Sequence, residues 1–125
     1  MKEKKLLTKS EFQIMHYLWG VPGQCAYTGE IVKLFDDPKP AYTTVATFLK
    51  ILVSKGFVKN RRKNGKIFYT PTISREKYAE RALVNTKDLF FDGSFTDMMK
   101  FYLQHNSLTK EEADELINVI QQAWK

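Results

Sequence analysis

Thr43, Thr47, Lys50 and Ser54 stand at i, i+4, i+7 and i+11, a spacing that lines one face of a helix with three hydroxyls and an ammonium. Such groups read a polar surface. A hydroxyl exchanges hydrogen bonds with a base edge, a threonine methyl packs on a thymine methyl, and a lysine donates to guanine or phosphate. Thr47 is central on that face and is the first candidate for base contact; Thr43 and Lys50 come next, with Ile51 as an apolar neighbour. Immediately downstream, Lys55, Lys59, Arg61, Arg62, Lys63 and Lys66 follow without an intervening acid. Within this run, Asn64-Gly65 is the dipeptide that supplies both φ > 0 residues of a two-residue hairpin turn. A hairpin about that turn sets Lys63 opposite Lys66 and Arg61 opposite Phe68. Its tip is then purely cationic, and its like charges repel unless an anion lies between them. Taken singly, either feature describes a solvated surface; side by side they suit a major groove flanked by phosphates.

Bond-making chemistry finds no comparable convergence. Cys25 is the single cysteine and His16 and His105 are the two histidines, so there is no internal disulfide and no cluster at zinc-ligand spacing. His16 falls within a hydrophobic helix and His105 follows the end of another, with no motif linking either to a nucleophile. No Gly-rich phosphate loop is present. The chain therefore reads as a binding protein without cofactor or metal, not as an enzyme.

Charge is divided unevenly. Of a net charge of +6, residues 1–73 carry thirteen basic and five acidic side chains, and residues 74–125 carry seven and nine. The first part is suited to a polyanion and the second is not. No run approaches the roughly 20 apolar residues of a membrane span, and the N-terminus lacks the apolar core of a signal peptide, so a cytoplasmic protein without membrane insertion is expected.

The elements that would position the reading face follow from periodicity. After a basic arm over residues 1–8, Phe12, Ile14, Met15, Tyr17, Leu18 and Trp19 predict a mostly buried helix over 9–19, ended by Val21-Pro22-Gly23. A second helix, capped by Thr28, buries Ile31, Val32, Leu34 and Phe35 before Asp36-Asp37-Pro38. The reading helix places Tyr42, Val45, Ala46, Leu49, Leu52 and Val53 on its core side. Phe57-Val58 start one wing strand, and Ile67, Phe68 and Tyr69 form the return strand up to Pro71. Helix, helix, helix and basic hairpin make a winged helix-turn-helix domain over 1–73.

Residues 74–125 predict three helices. The first, from Ser74 to about Phe91, shows Tyr78, Ala79, Ala82, Leu83, Thr86 and Phe90 on one broad face, and Asp92-Gly93 breaks it. Ser94 with Asp97, and Thr109 with Glu112, fit the reciprocal capping box. The next two helices carry apolar stripes: Phe95, Met98, Met99 and Tyr102, then Ala113, Leu116, Ile117, Ile120 and Trp124. About 50 residues with this many aromatics do not bury them within one copy, so this segment is expected to be a helical dimerisation domain. The fold class is thus mostly α with a small β-hairpin.

LTKSEFQIMHYLW, AYTTVATFLKILVSKGFVKN, FYTPTISREKY, DGSFTDMM and LTKEEADEL, in that order from Leu7 to about Gln122, together resemble the BlaI/MecI family of penicillinase repressors. The resemblance implies a homodimeric winged-helix repressor that occupies a palindromic operator of double-stranded DNA. It places the recognition helix on residues 42–54, beginning at Tyr42, with Thr43, Thr44 and Thr47 at base-reading positions and the wing on residues 61–66. It also implies de-repression through the C-terminal domain, in many members by a membrane metalloprotease sensor that triggers cleavage, in the best-known cases at an Asn-Phe bond. This chain has no Asn-Phe dipeptide, and Phe101-Tyr102 aligns near that point. Copper-responsive relatives use C-terminal cysteines, which are missing here. The alternative is a winged-helix RNA-binding or protein-interaction module whose wing meets an acidic partner without operator specificity.

Overall fold

The computed structural model describes residues 6–124. Of the expected basic arm, residues 1–5 lie outside the described residues, while Leu6 and Leu7 pack against the core. Thr8 opens helix α1 (Lys9–Gly20) through a reciprocal cap. Its hydroxyl accepts from the Glu11 N–H (3.3 Å), and the Glu11 carboxylate accepts from the Thr8 N–H (3.0 Å). After a short 3-10 turn comes strand β1 (Ala26–Tyr27), and then α2 (Thr28–Leu34), α3 (Tyr42–Lys55), β2 (Val58–Lys63) and β3 (Lys66–Pro71). The antiparallel sheet has the order β1-β3-β2.

Thr28, Phe12, Leu34 and Tyr42 do not take the places expected of them. Thr28 is not the cap of α2 but its first helical residue, and it is buried; Tyr27 holds the cap position, with its N–H on the Glu30 carboxylate (3.1 Å). The Thr28 side chain lies within hydrogen-bonding reach of Tyr69 of β3. Phe12 and Leu34, expected in the core, are exposed, as is Tyr42 at 59%. Tyr42 is the first residue of α3, ahead of its first buried position, Val45. β1, finally, has no strong signal of its own. Two residues become strand because β3 offers them a ladder, Ala26 opposite Tyr69 and Tyr27 opposite Phe68.

The chain divides into two compact units between Ala82 and Leu83, within α4 (Arg75–Phe91). The division falls some nine residues beyond the junction at Ile73, because Tyr78 belongs to the first unit's core. Among the described residues of that unit thirteen apolar side chains are buried, with Ile14, Met15, Leu18, Leu49, Leu52 and Phe57 at no more than 2% exposure. Each such side chain contributes about 1.5–3 kcal/mol on removal from water, so this unit has a core able to hold it folded.

The second unit is built differently. Asp92 and Gly93, at φ 49° and 80°, turn the chain out of α4 through two left-handed steps. The Ser94 hydroxyl accepts from the Asp97 N–H (3.0 Å) to start α5 (Phe95–His105). Thr109 and Glu112 form the full reciprocal box that starts α6 (Lys110–Ala123). No described side chain of this unit is buried. On α4, Ala79 in the first unit and Leu83, Thr86 and Phe90 in the second, all expected on a covered face, are exposed. Among the described residues, no helix is long and apolar enough to cross a membrane.

Candidate nucleic-acid interface

Helix α3 carries its reading face outward. Val45, Leu49 and Leu52 are buried at i, i+4 and i+7, while Thr43, Thr47, Lys50 and Ser54 on the other side are all exposed, as is Ile51. Gly56 ends the helix at φ 86°, a left-handed conformation that costs glycine nothing, and its N–H returns to the carbonyls of Leu52 and Val53. That sharp stop lets the wing begin two residues later.

The polar face has internal structure that a wheel does not show. The Thr47 hydroxyl donates to the Thr43 carbonyl (2.8 Å). Its proton is thereby used, so Thr47 offers an incoming surface an acceptor oxygen and a methyl group, not a donor. Thr44 lies to the side of this face, on the rim of a cavity of about 320 Å³ shared with Lys9, Ser10 and Gln13 of α1. Exposed Tyr42 stands near Tyr69. Burial pushes the Tyr69 phenol up, Tyr42 adds to the shift, and the hydrogen bond with Thr28 opposes it.

The hairpin forms as expected, with Asn64 at φ 51° and Gly65 at φ 77°. Lys63 stands opposite Lys66 and Arg61 opposite Phe68. Alternation then sorts the cations. Val58 and Tyr69 are buried and mark the inner face, to which Asn60, Arg62 and Ile67 belong by parity; Lys59, Arg61, Lys63, Lys66, Phe68 and Tyr27 share the outer face. Lys59, Arg61 and Lys63 line an outer cleft of about 630 Å³ with Cys25, Phe68 and Thr70. The Lys66 ammonium lies 4.0 Å from the centroid of the Tyr27 ring, a cation–π contact that holds it at the strand start. Lys59 belongs to the basic run but stands outside residues 61–66, on which the resemblance places the wing. It shares the outer parity of Arg61, two residues away.

Lys55 has another partner. Its ammonium sits on the Glu11 carboxylate at 2.8 and 3.0 Å, and the Glu11 side chain is only 5% exposed. This charge is neutralised inside the fold, which sets Lys55 apart from the other expected phosphate contacts. Burial alone would raise the Glu11 carboxyl, but the hydrogen bonds and charge of Lys55 and Thr8 outweigh it and hold the group below its usual range.

The expected dimerisation residues of the second unit lie open. Phe95, Tyr102, Leu116, Ile117 and Ile120 are exposed, Met98 and Met99 are half-buried, and Trp124 follows the last residue of α6 and is 80% exposed. Phe101-Tyr102 is in the interior of α5, where the Phe101 ring meets Phe91 (5.6 Å) and His105 (4.4 Å).

The family model described as penicillinase repressor matches residues 7–122. The chain belongs to the penicillinase repressor family. It is 27% identical over 124 residues to the penicillinase repressor of Bacillus licheniformis, a match covering 98% of this chain and 94% of that one. Among solved structures it is similar to a mutant MarR from E. coli complexed with operator DNA (15% identity, TM-score 0.51, 95% of this chain and 76% of that one). A MarR family transcriptional regulator from Streptomyces coelicolor also matches (21% identity, TM-score 0.47, 94% and 72%). The winged-helix fold and the place among transcriptional repressors expected from the sequence both hold for this member of the penicillinase repressor family.

Proposed function

We propose that the protein is a cytoplasmic repressor that binds a palindromic operator in double-stranded DNA as a homodimer. The observation that carries this reading is the outward face of Thr43, Thr47, Lys50 and Ser54, set directly beside a hairpin whose exposed side chains include Lys59, Arg61, Arg62, Lys63 and Lys66. α3 enters the major groove, Thr47 and its neighbours meet base edges, and the wing neutralises phosphates. Lys55, paired with Glu11, ties the last turn of α3 to α1.

Dimerisation falls to the second unit. Helices that leave every described side chain at least partly open, with Phe95, Ile117 and Ile120 on the surface, gain more from a second copy than from solvent. One recognition helix also reads too few base pairs for useful selectivity, and a two-fold axis doubles the count. Induction then works through this unit, by a membrane metalloprotease or another agent. Any event that loosens it lowers the effective concentration of the second reading head, and the DNA-contacting face need not be touched.

The test is selection of duplexes from a random library by the full chain. Enrichment of an inverted repeat, with half-sites about one helical turn of roughly 10 base pairs apart or a multiple of it, is expected. Recovery of unrelated duplexes, or equal binding of RNA hairpins, would overturn it.

A further inference from the structure

Three hydrogen-bonded steps join the first turn of α4 to the last turn of α3. The Leu7 N–H donates to the Tyr78 hydroxyl (2.8 Å), the adjoining Thr8 N–H donates to the Glu11 carboxylate (3.0 Å), and that carboxylate receives both contacts of the Lys55 ammonium. All of these bonds are partly buried, where a polar group that loses its partner is costly. The line is also held at its α4 end. The Tyr78 ring meets Phe57 edge-on (5.9 Å) and lies against Trp19 (6.1 Å), and the Trp19 indole N–H donates to the Ile73 carbonyl (3.0 Å), fixing the strand-to-helix junction. At the other end Lys55 belongs to the same rigid helix as Thr47 and Lys50.

We propose that Tyr78, Glu11 and Lys55 are positioning residues for DNA reading: a line of hydrogen bonds through which the root of α4 sets the pose of the recognition helix. The inference rests on the repressor reading above and deepens it. Base contacts made by a short threonine tolerate a displacement of only about 0.5 Å, so a helix pinned at its C-terminal turn reads and a loosened one does not. α4 also continues past Ala82, so the line gives a displacement of that helix a defined physical route to α3.

The test uses the full chain, the duplex enriched in the selection above, and a scrambled duplex of equal length. Tyr78→Phe removes one hydroxyl and keeps the ring; Glu11→Gln removes the charge and keeps the length; Lys55→Arg keeps the ion pair. On the enriched duplex, Tyr78→Phe should weaken binding by about three- to tenfold and Glu11→Gln by about tenfold, with binding to the scrambled duplex unchanged. Lys55→Arg should stay close to the parent. Because both act along one line, the double variant Tyr78→Phe/Glu11→Gln should lose little more than Glu11→Gln alone; losses that multiply would overturn the proposal. Ile14→Val, a core change away from the line, should lower stability without changing the ratio between the two duplexes. An equal change of ratio there would reduce the effect to general softening and overturn it too. Amide exchange without DNA gives the independent arm. Tyr78→Phe should speed exchange several-fold over residues 49–55, and unchanged exchange there would sink the line. If the unaltered protein binds both duplexes alike, the repressor reading fails, and the exchange arm still decides whether Tyr78 sets α3.

Discussion

Lys63 and Lys66 face each other across the Asn64-Gly65 turn, two ammonium-bearing residues in directly opposed positions at the end of the hairpin. Opposed like charges destabilise a hairpin unless an anion shares them. Together with Lys59 and Arg61 they make the outer face of the wing the more cationic one, while Arg62 stands on the inner parity.

This sorting gives the first prediction. Each neutralised phosphate changes the slope of log K against log[salt] by about −0.9. Lys59→Ala/Arg61→Ala should flatten the slope by close to two contacts if the outer face meets the backbone, and affinity should fall on all sequences alike. Arg62→Ala measured in the same salt series tests the inner parity. A slope left unchanged by both would turn the wing away from the duplex.

Thr47 permits a sharper substitution pair, because its hydroxyl proton is engaged by the Thr43 carbonyl. If the methyl reads a thymine, Thr47→Ala should weaken operator binding by about 1–3 kcal/mol while Thr47→Val retains most of it. Binding isotherms on operator and scrambled DNA separate the cases. Equal losses for Ala and Val would assign the contact to the oxygen, and loss on both DNAs would give Thr47 a structural role.

A fragment ending at Ile73 lacks Tyr78, whose ring covers Phe57 and Trp19. It should be less stable than a fragment ending just past Ala82 by about 3–5 kcal/mol, the usual range for loss of a large buried aromatic. Urea melts followed by Trp19 emission would show it. Equal midpoints would return Tyr78 to a peripheral position.

For the second unit we expect a dimer at micromolar concentration, shifted toward monomer by Leu116→Lys, since a charge on an apolar contact face must be desolvated without a partner. Sedimentation velocity reads the shift, and melting of the first unit should change little. An unmutated protein that stays monomeric with operator present would end the two-headed reading.

Glu11 predicts a pH dependence. A carboxyl whose pKa is lower in the folded than in the unfolded chain adds stability above the unfolded value and loses it as pH falls through the folded one. Glu11→Gln should therefore be less stable than the parent at neutral pH by about 1–3 kcal/mol, and the gap should shrink below about pH 4. Denaturant midpoints across that range check it; a gap independent of pH would remove the charge from the account.

Whatever closes locally was legible in the order of residues. The period of α3, the outward hydroxyl face, the Asn64-Gly65 turn with its Lys63–Lys66 register, and the Thr109–Glu112 box each rest on partners a few residues apart, so a short window contains the whole cause. Tertiary structure decided the partners that lie far away. Lys55 reads in sequence as one more cation of the wing, and only the fold brings it to Glu11, 44 residues distant. Tyr78 reads as one residue of an amphipathic stripe, and only the fold gives its hydroxyl the Leu7 N–H, 71 residues away. β1 exists because β3 arrives beside it. The physical reason is common to all: a buried polar group must be paired, and which group pairs it is settled by where the chain returns, a matter that neither propensity nor period encodes.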